Sequence, residues 1–250
     1  MTSWQGPSHV RAGGRSDLLL LCDHATCAVP PELDQLGLPE EALRRHIGWD
    51  IGALAVAERL AERFDAPLIH CGTSRLVVDP NREPGGGTLI LAQSDNVFVP
   101  GNEQVTNVER ARRIARYHRP YHDEIARYLD ATTAMGRRPR VVSIHSFEPQ
   151  LAEILRPWPI GVLWKQGREP VAGLIEALVA TGVQVGDNEP YDGRVAIGYT
   201  LEHHAMPRGL PHVLLEVRND LIADEAGQDA WAERLGQALV RSGWASAPPG

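Results

Sequence analysis

Three short apolar runs in this chain each end in residues able to do chemistry. LLLLCDHA delivers Asp23 and His24, VVSIHSF delivers His145, and HVLLEVRND delivers Glu216 and Arg218. A carboxylate or imidazole at the end of a buried strand is costly unless it has partners. Two histidines and a carboxylate at one sheet edge are what a zinc site needs: nitrogen and oxygen ligands with a position left for water. His24 and His145 are therefore read as metal ligands, against the alternative of solvated strand-end histidines. Glu216 sits inside an apolar run, as either a core carboxylate paired with an arginine such as Arg218 or a general base tuned by burial and a nearby metal.

Other candidates surround these. His46 and Asp50 are four residues apart in a segment with helical periodicity, which places them on one face. They form either a solvated pair or a site contribution in which Asp50 is the third ligand or orients a ligand histidine. Arg75, Asn81 and Arg82 lie in SRLVVDPNRE, where a guanidinium can take a substrate carboxylate in two parallel hydrogen bonds or pair with Asp79. His203 and His204 precede the last strand, either as a polar loop or as a donor to a developing oxyanion. Cys27 is read first as a small packed side chain and second as a zinc ligand or nucleophile.

The elements that must position these groups follow from periodicity. DLLLLC, 67–70, 75–78, 140–144, 160–164, 183–185 and 212–217 read as strands. Helices are expected over 39–64, 105–135 with a bend at Pro120, 171–180 and 223–241. Strands alternating with helices imply an α/β fold, a mostly parallel sheet covered on both faces, with its site at the carboxyl ends of the strands. Residues 1–16 read as a flexible N-terminal arm and 17–250 as a single domain. Residues 83–104 carry three consecutive glycines and two prolines, the pattern of a long functional or mobile loop.

Composition excludes several classes. Hydrophobic residues make up 43% of the 250, enough for a sizeable core. Formal net charge is −7 with no basic block, which argues against nucleic acid as partner. No apolar run reaches membrane-spanning length. The three cysteines suggest a reducing compartment, so the expected location is cytoplasmic.

The motifs CDHATCAVPPELDQLGLPEEALRRHIGWDIGALAVAERLAERFDAPLI, SRLVVDPNRE, VVSIHSFEP, VGDNEPYDG and YTLEHHAMPRGLPHVLLEVRNDLI occur in this order over residues 17–240. Together they resemble the N-formylglutamate amidohydrolase family. The resemblance implies a three-layer α/β/α, phosphorylase/hydrolase-like fold related to the zinc-dependent exopeptidases. It implies a divalent metal, Zn2+, on His24 and His145, with Glu216 as base, His204 and Arg82 assisting, and Asn81 with Arg82 gripping the substrate carboxylate. Arg75 and Arg218 are further candidates for an anionic small-molecule substrate. The zinc carboxypeptidase pattern has a glutamate where this chain has Cys27, which leaves Asp50, Cys27 and Asp23 as candidates for the third ligand, Asp50 first. The family more often shows His-Gly-Glu where this chain has HHAMPRG, with Met206 in place of the acid. The implied reaction converts N-formyl-L-glutamate to L-glutamate and formate, as in histidine degradation. The alternatives are another N-acyl amino acid or small peptide as substrate, or a non-catalytic carboxylate-binding protein on the same fold. A homo-oligomer is left open.

Overall fold

A computed structural model describes residues 3–14 and 16–247. Seven strands form one sheet: β1 Ser8–Arg11, β2 Leu18–Cys22, β3 Leu68–Cys71, β4 Arg140–Phe147, β5 Ile160–Leu163, β6 Val185–Asp187 and β7 His212–Arg218. Their order is β1-β3-β2-β4-β7-β5-β6. The four central strands β3, β2, β4 and β7 run parallel, while β1 and β5 are antiparallel to β3 and β7. Part of the expected arm is thus β1, an edge strand whose backbone groups are paired rather than loose. The last short strand starts two residues later than expected, at Val185.

Side chains alternate across a strand, so each buried strand feeds two cores. Leu18, Leu20, Val142, Ile144, Val213 and Leu215 face helices α2 Ala53–Arg63, α5 Glu169–Val179 and α7 Glu225–Arg241. Leu19, Leu21, Val141 and Leu214 face α4 Arg119–Ala134 and α6 Tyr199–His204. These are the three layers of an α/β/α fold. A third apolar cluster, with Leu36, Leu43, Ile47, Val77, Leu89, Val99 and Tyr117, joins the segments that leave the carboxyl ends of β2 and β3. Among the described residues no helix is long and apolar enough to cross a membrane.

Two expectations are corrected. The helix expected over 39–64 is broken into α1 Glu40–Leu43 and α2, with turns between. Tertiary hydrogen bonds replace helical ones there: Asp50 N–H donates to His24 O at 2.9 Å, and Gly48 O accepts from Ser74 Oγ at 2.8 Å. Gly52 has φ +78°, and a Cβ there would stand 2.1 Å from the carbonyl oxygen of Ile222. Only glycine fits such a turn without strain.

The strand expected over 75–78 is also absent. Arg75 N–H donates to Gly48 O at 3.3 Å, Asn102 Nδ2 donates to Leu76 O at 2.8 Å, and Arg113 Nη1 donates to Val77 O at 3.2 Å. These partners satisfy the backbone without a sheet neighbour, and Leu76, Val77 and Val78 enter the third cluster instead. The same cluster pins the long loop. Leu89 and Val99 are buried, and Arg110 Nη2 holds the carbonyls of Pro84 and Gly86 at 2.9 and 2.6 Å. The 105–135 helix is α3 Asn107–Arg113, a π-helical turn Ile114–His118, and α4. Its widened turn precedes Pro120, whose missing N–H cannot continue the regular ladder.

Candidate functional site

The alternation that builds the cores also gathers the site. On β4, Ser143 and His145 share the face of Val141, and on β7 Glu216 shares the face of Leu214. The register pairs Glu216 directly with His145. The end of β2 adds Asp23 and His24, and the turn before α2 adds Asp50. His24, Asp50, His145 and Glu216, with Arg75, Asn81, Arg82 and Tyr191, line a cavity of about 510 Å³, and Asp23 lies behind His145.

Asp50 is the centre of the arrangement. Its Oδ2 lies 3.2 Å from His24 Nδ1 and 2.8 Å from His145 Nδ1. Its Oδ1 accepts from Arg75 Nη1 at 2.8 Å. Each histidine is held from behind by another carboxylate: His24 Nε2 lies 2.8 Å from Asp79 Oδ1, and His145 Nε2 lies 2.8 Å from Asp23 Oδ2. Asp23 is fixed in turn by hydroxyls, from Ser143 at 3.0 Å, Tyr121 at 3.1 Å and Thr200 at 2.5 Å.

The electrostatics follow from this network. Burial resists the positive charge on His145, but its hydrogen bonds and Coulomb attraction to Asp23 and Asp50 outweigh burial and push its pKa well up. Burial likewise works against ionised Asp50 and Asp79, while the neighbouring histidines and Arg75 hold both low, Asp79 at about 2. Glu216 is different. Burial dominates and pushes it up to about 7, and its Oε2 is buried with no hydrogen-bond partner among the described residues.

His24, Asp50 and His145 offer donor atoms that all lie within 4.8 Å of one another. With Nε2–H donated outward to a carboxylate, a metal that displaces the Nδ1 proton would find each Nδ1 lone pair on the Asp50 side. That is the tautomer a metal-ligating histidine requires, and carboxylate backing is its usual support. Two imidazoles and one carboxylate fit a divalent ion of the zinc type. Replacing Asp79 by Ala is expected to weaken zinc affinity by roughly 10–100-fold, because His24 loses its orienting acceptor. Competition against a chromophoric chelator measures this, and an unchanged affinity would show that Asp79 does not position His24.

The family profile described as N-formylglutamate amidohydrolase matches residues 16–223. The chain belongs to the N-formylglutamate amidohydrolase family. It is a hydrolase of carbon–nitrogen bonds. A gene product of Agrobacterium tumefaciens has a similar structure, with 36% identity, TM-score 0.88, and coverage of 93% of this chain and 94% of that one. An N-formylglutamate amidohydrolase from Ralstonia eutropha shares the fold at 19% identity and TM-score 0.72, over 96% of this chain and 98% of that one. No curated protein matches.

The remaining candidates of this family member fall in different places. Arg75 lines the cavity but is engaged by Asp50, with Asp79 Oδ2 3.9 Å away. Arg82 stands at the rim with about half of its side chain exposed. Asn81 lines the cavity, but its Oδ1 accepts from Thr200 N–H at 3.1 Å. His204 is not brought to the cavity: it is buried beside His122, with Nε2 2.9 Å from His122 Nδ1, and burial lowers its pKa to about 3. Arg218 points to Asp220 instead, at 2.8 Å. Cys27 lines a separate pocket with Trp4 and Leu43.

Sequence reasoning gave Asp79 only as a partner for arginine and passed over Tyr191 and Thr200. Asp79 lay in the quoted SRLVVDPNRE motif, and its distance from His24 in the chain hid the contact. Asp23, weighed as a ligand, is the support of His145.

Proposed function

We propose that this chain is a metal-dependent amidohydrolase of a small N-acyl amino acid, with N-formyl-L-glutamate as the first candidate. The observation that carries this reading is the convergence of two carboxylate-backed histidine Nδ1 atoms on Asp50, with Glu216 free on the same cavity. His24, Asp50 and His145 would hold the ion, and zinc suits their donor set. When bound, a divalent ion of this kind supplies Lewis acidity that lowers the pKa of water and polarises a carbonyl.

The chain's own residues account for the proton movements. Glu216, a carboxylate beside the site, takes a proton from the attacking water as the new C–O bond forms at the acyl carbon. As the C–N bond breaks, the same carboxyl gives its proton to the departing amine. The products are the free carboxylic acid and the amino acid. Arg82 at the rim binds the α-carboxylate in this reading, and Arg75 keeps Asp50 ionised and in place.

The test is a turnover panel on zinc-reconstituted protein: N-formyl-L-glutamate, N-acetyl-L-glutamate, N-formyl-L-methionine and a dipeptide, with elemental analysis alongside. Release of formate and L-glutamate in proportion to zinc supports the reading. Faster release from another acyl amino acid corrects the substrate. No turnover of any of the four by protein carrying zinc overturns the amidohydrolase assignment.

A further inference from the structure

Two buried histidines, His122 on α4 and His204 on α6, line no part of the cavity. Burial keeps both imidazoles neutral, so each carries one ring proton, and the surrounding atoms fix where it sits. His122 Nε2 faces the Pro80 carbonyl oxygen at 2.9 Å. A carbonyl only accepts, so the His122 proton is on Nε2. His122 Nδ1 is then an acceptor, and His204 Nε2–H donates to it at 2.9 Å. The other nitrogen of His204 agrees: Nδ1 is buried with no partner among the described residues, and a proton there would be a donor without an acceptor.

The line continues past Pro80. Pro80 C=O and Asn81 N–H belong to one planar peptide and point in opposite directions. That N–H donates to Asp79 Oδ1 at 2.9 Å, the oxygen that also lies 2.8 Å from His24 Nε2. Three hydrogen bonds in series therefore run one way, from His204 to the carboxylate behind His24, and bonds in such a chain polarise one another. The next two carbonyls have donors of their own: Tyr199 N–H reaches Asn81 O and His118 Nε2–H reaches Arg82 O, each at 3.2 Å. These hold the segment in place. What His122 adds is the rotation of the 80–81 peptide plane.

We infer that His204 and His122 are positioning residues of the metal site, which act through the Pro80–Asn81 peptide and Asp79 to aim the His24 imidazole. The inference rests on the reading of His24 as a metal ligand. The hydrogen bond at one ring nitrogen sets the state of the other. Removing the His204 donor frees the His122 proton to occupy Nδ1. A lone pair then faces Pro80 O, the peptide plane rotates, and Asp79 Oδ1 loses one of the two donors that orient it.

Zinc affinity of the full chain, read by competition with a chromophoric chelator, tests this without any substrate. His204→Leu is expected to weaken zinc by about three- to tenfold, the worth of one hydrogen bond. His204→Gln keeps an N–H within reach of His122 Nδ1 and stays within about twofold of the wild type. In an Asp79→Ala background the line has no carboxylate to act on, and His204→Leu costs nothing further. A role in packing alone would cost the same in both backgrounds. Unchanged affinity in His204→Leu, or an equal loss with and without Asp79, overturns the inference. Long-range proton–nitrogen spectra of the wild type are expected to show His122 and His204 protonated at Nε2 and bare at Nδ1. A proton on His122 Nδ1 overturns the line even if the leucine variant does not fold. A wild type that binds no zinc removes the metal reading and the role toward His24 together, whereas zinc binding indifferent to His204 removes that role alone.

Discussion

Glu216→Gln retains its zinc and loses turnover by roughly 10²–10⁴-fold, the range over which a positioned acid–base group contributes. Glutamine has nearly the same shape, so packing between β4 and β7 is preserved. Glu216 has no hydrogen bond to a metal-holding residue, and its Oε2 stands without a partner among the described residues. The loss therefore belongs to proton transfer and falls on kcat and kcat/KM together. Steady-state kinetics with zinc content measured on the same samples checks this, and near wild-type kcat at full occupancy would remove Glu216 as the base.

Stability gives an independent reading of the same substitution. Burial raises the folded Glu216 carboxyl from its ordinary 4.5 to about 7. A raised carboxyl favours the fold at acid pH and loses that contribution as pH rises through about 7. Glutamine does not ionise, so metal-free Glu216→Gln is expected to melt at or above the wild type at pH 8. At pH 5 that advantage is absent. A melt below the wild type at pH 8 would mean that ionised Glu216 has a partner that favours its charge.

His145→Ala abolishes tight zinc binding and lowers turnover by at least about 10³-fold. The metal's contribution to a transition state is several kcal/mol, and each 1.36 kcal/mol is tenfold. The substitution removes one Nδ1 ligand and also leaves Asp23 and Asp50 without the cation between them. Breaking a buried ionic network by removing one partner costs about 3–5 kcal/mol, so the metal-free variant also melts lower. Asp50→Asn is the milder companion: it keeps the volume and removes the ligand charge.

The measurement is the melting temperature with and without zinc. At 100 times its dissociation constant a ligand adds about 2.7 kcal/mol, which for a chain of this size raises the wild-type melt by roughly 5–10 °C. The variants show no such rise. A full rise in both would place the ion elsewhere.

Much of this protein can be read directly from its residues. Uninterrupted apolar runs such as LLLLC and VVSI are strands because five buried residues in a row suit a sheet covered on both faces. Period-two alternation then fixes that Ser143 and His145 share a face, and that Glu216 faces the same layer as Leu214. The order of the motifs is enough to place the chain in its family. His24, His145 and Glu216 were legible because a polar residue at the end of an apolar run stands out locally.

What only the tertiary structure decided is which groups meet. Asp50 stood first among the candidates for the third ligand, with Cys27 and Asp23 left open behind it, and the local sequence does not exclude any of the three. The break of the 39–64 segment at Gly48 and Gly52 aims Asp50 at both histidines, while Asp23 turns behind His145 and Cys27 goes to another pocket. The periodicity of that segment favoured a continuous helix, and hydrogen bonds to His24 and Ser74 overrode it. Arg75 looked like a substrate anchor and is engaged by Asp50. Residue type and period are properties of a few neighbouring positions. The pairing of a charge depends on segments tens of residues apart, and packing of the whole sheet brings them within hydrogen-bond reach.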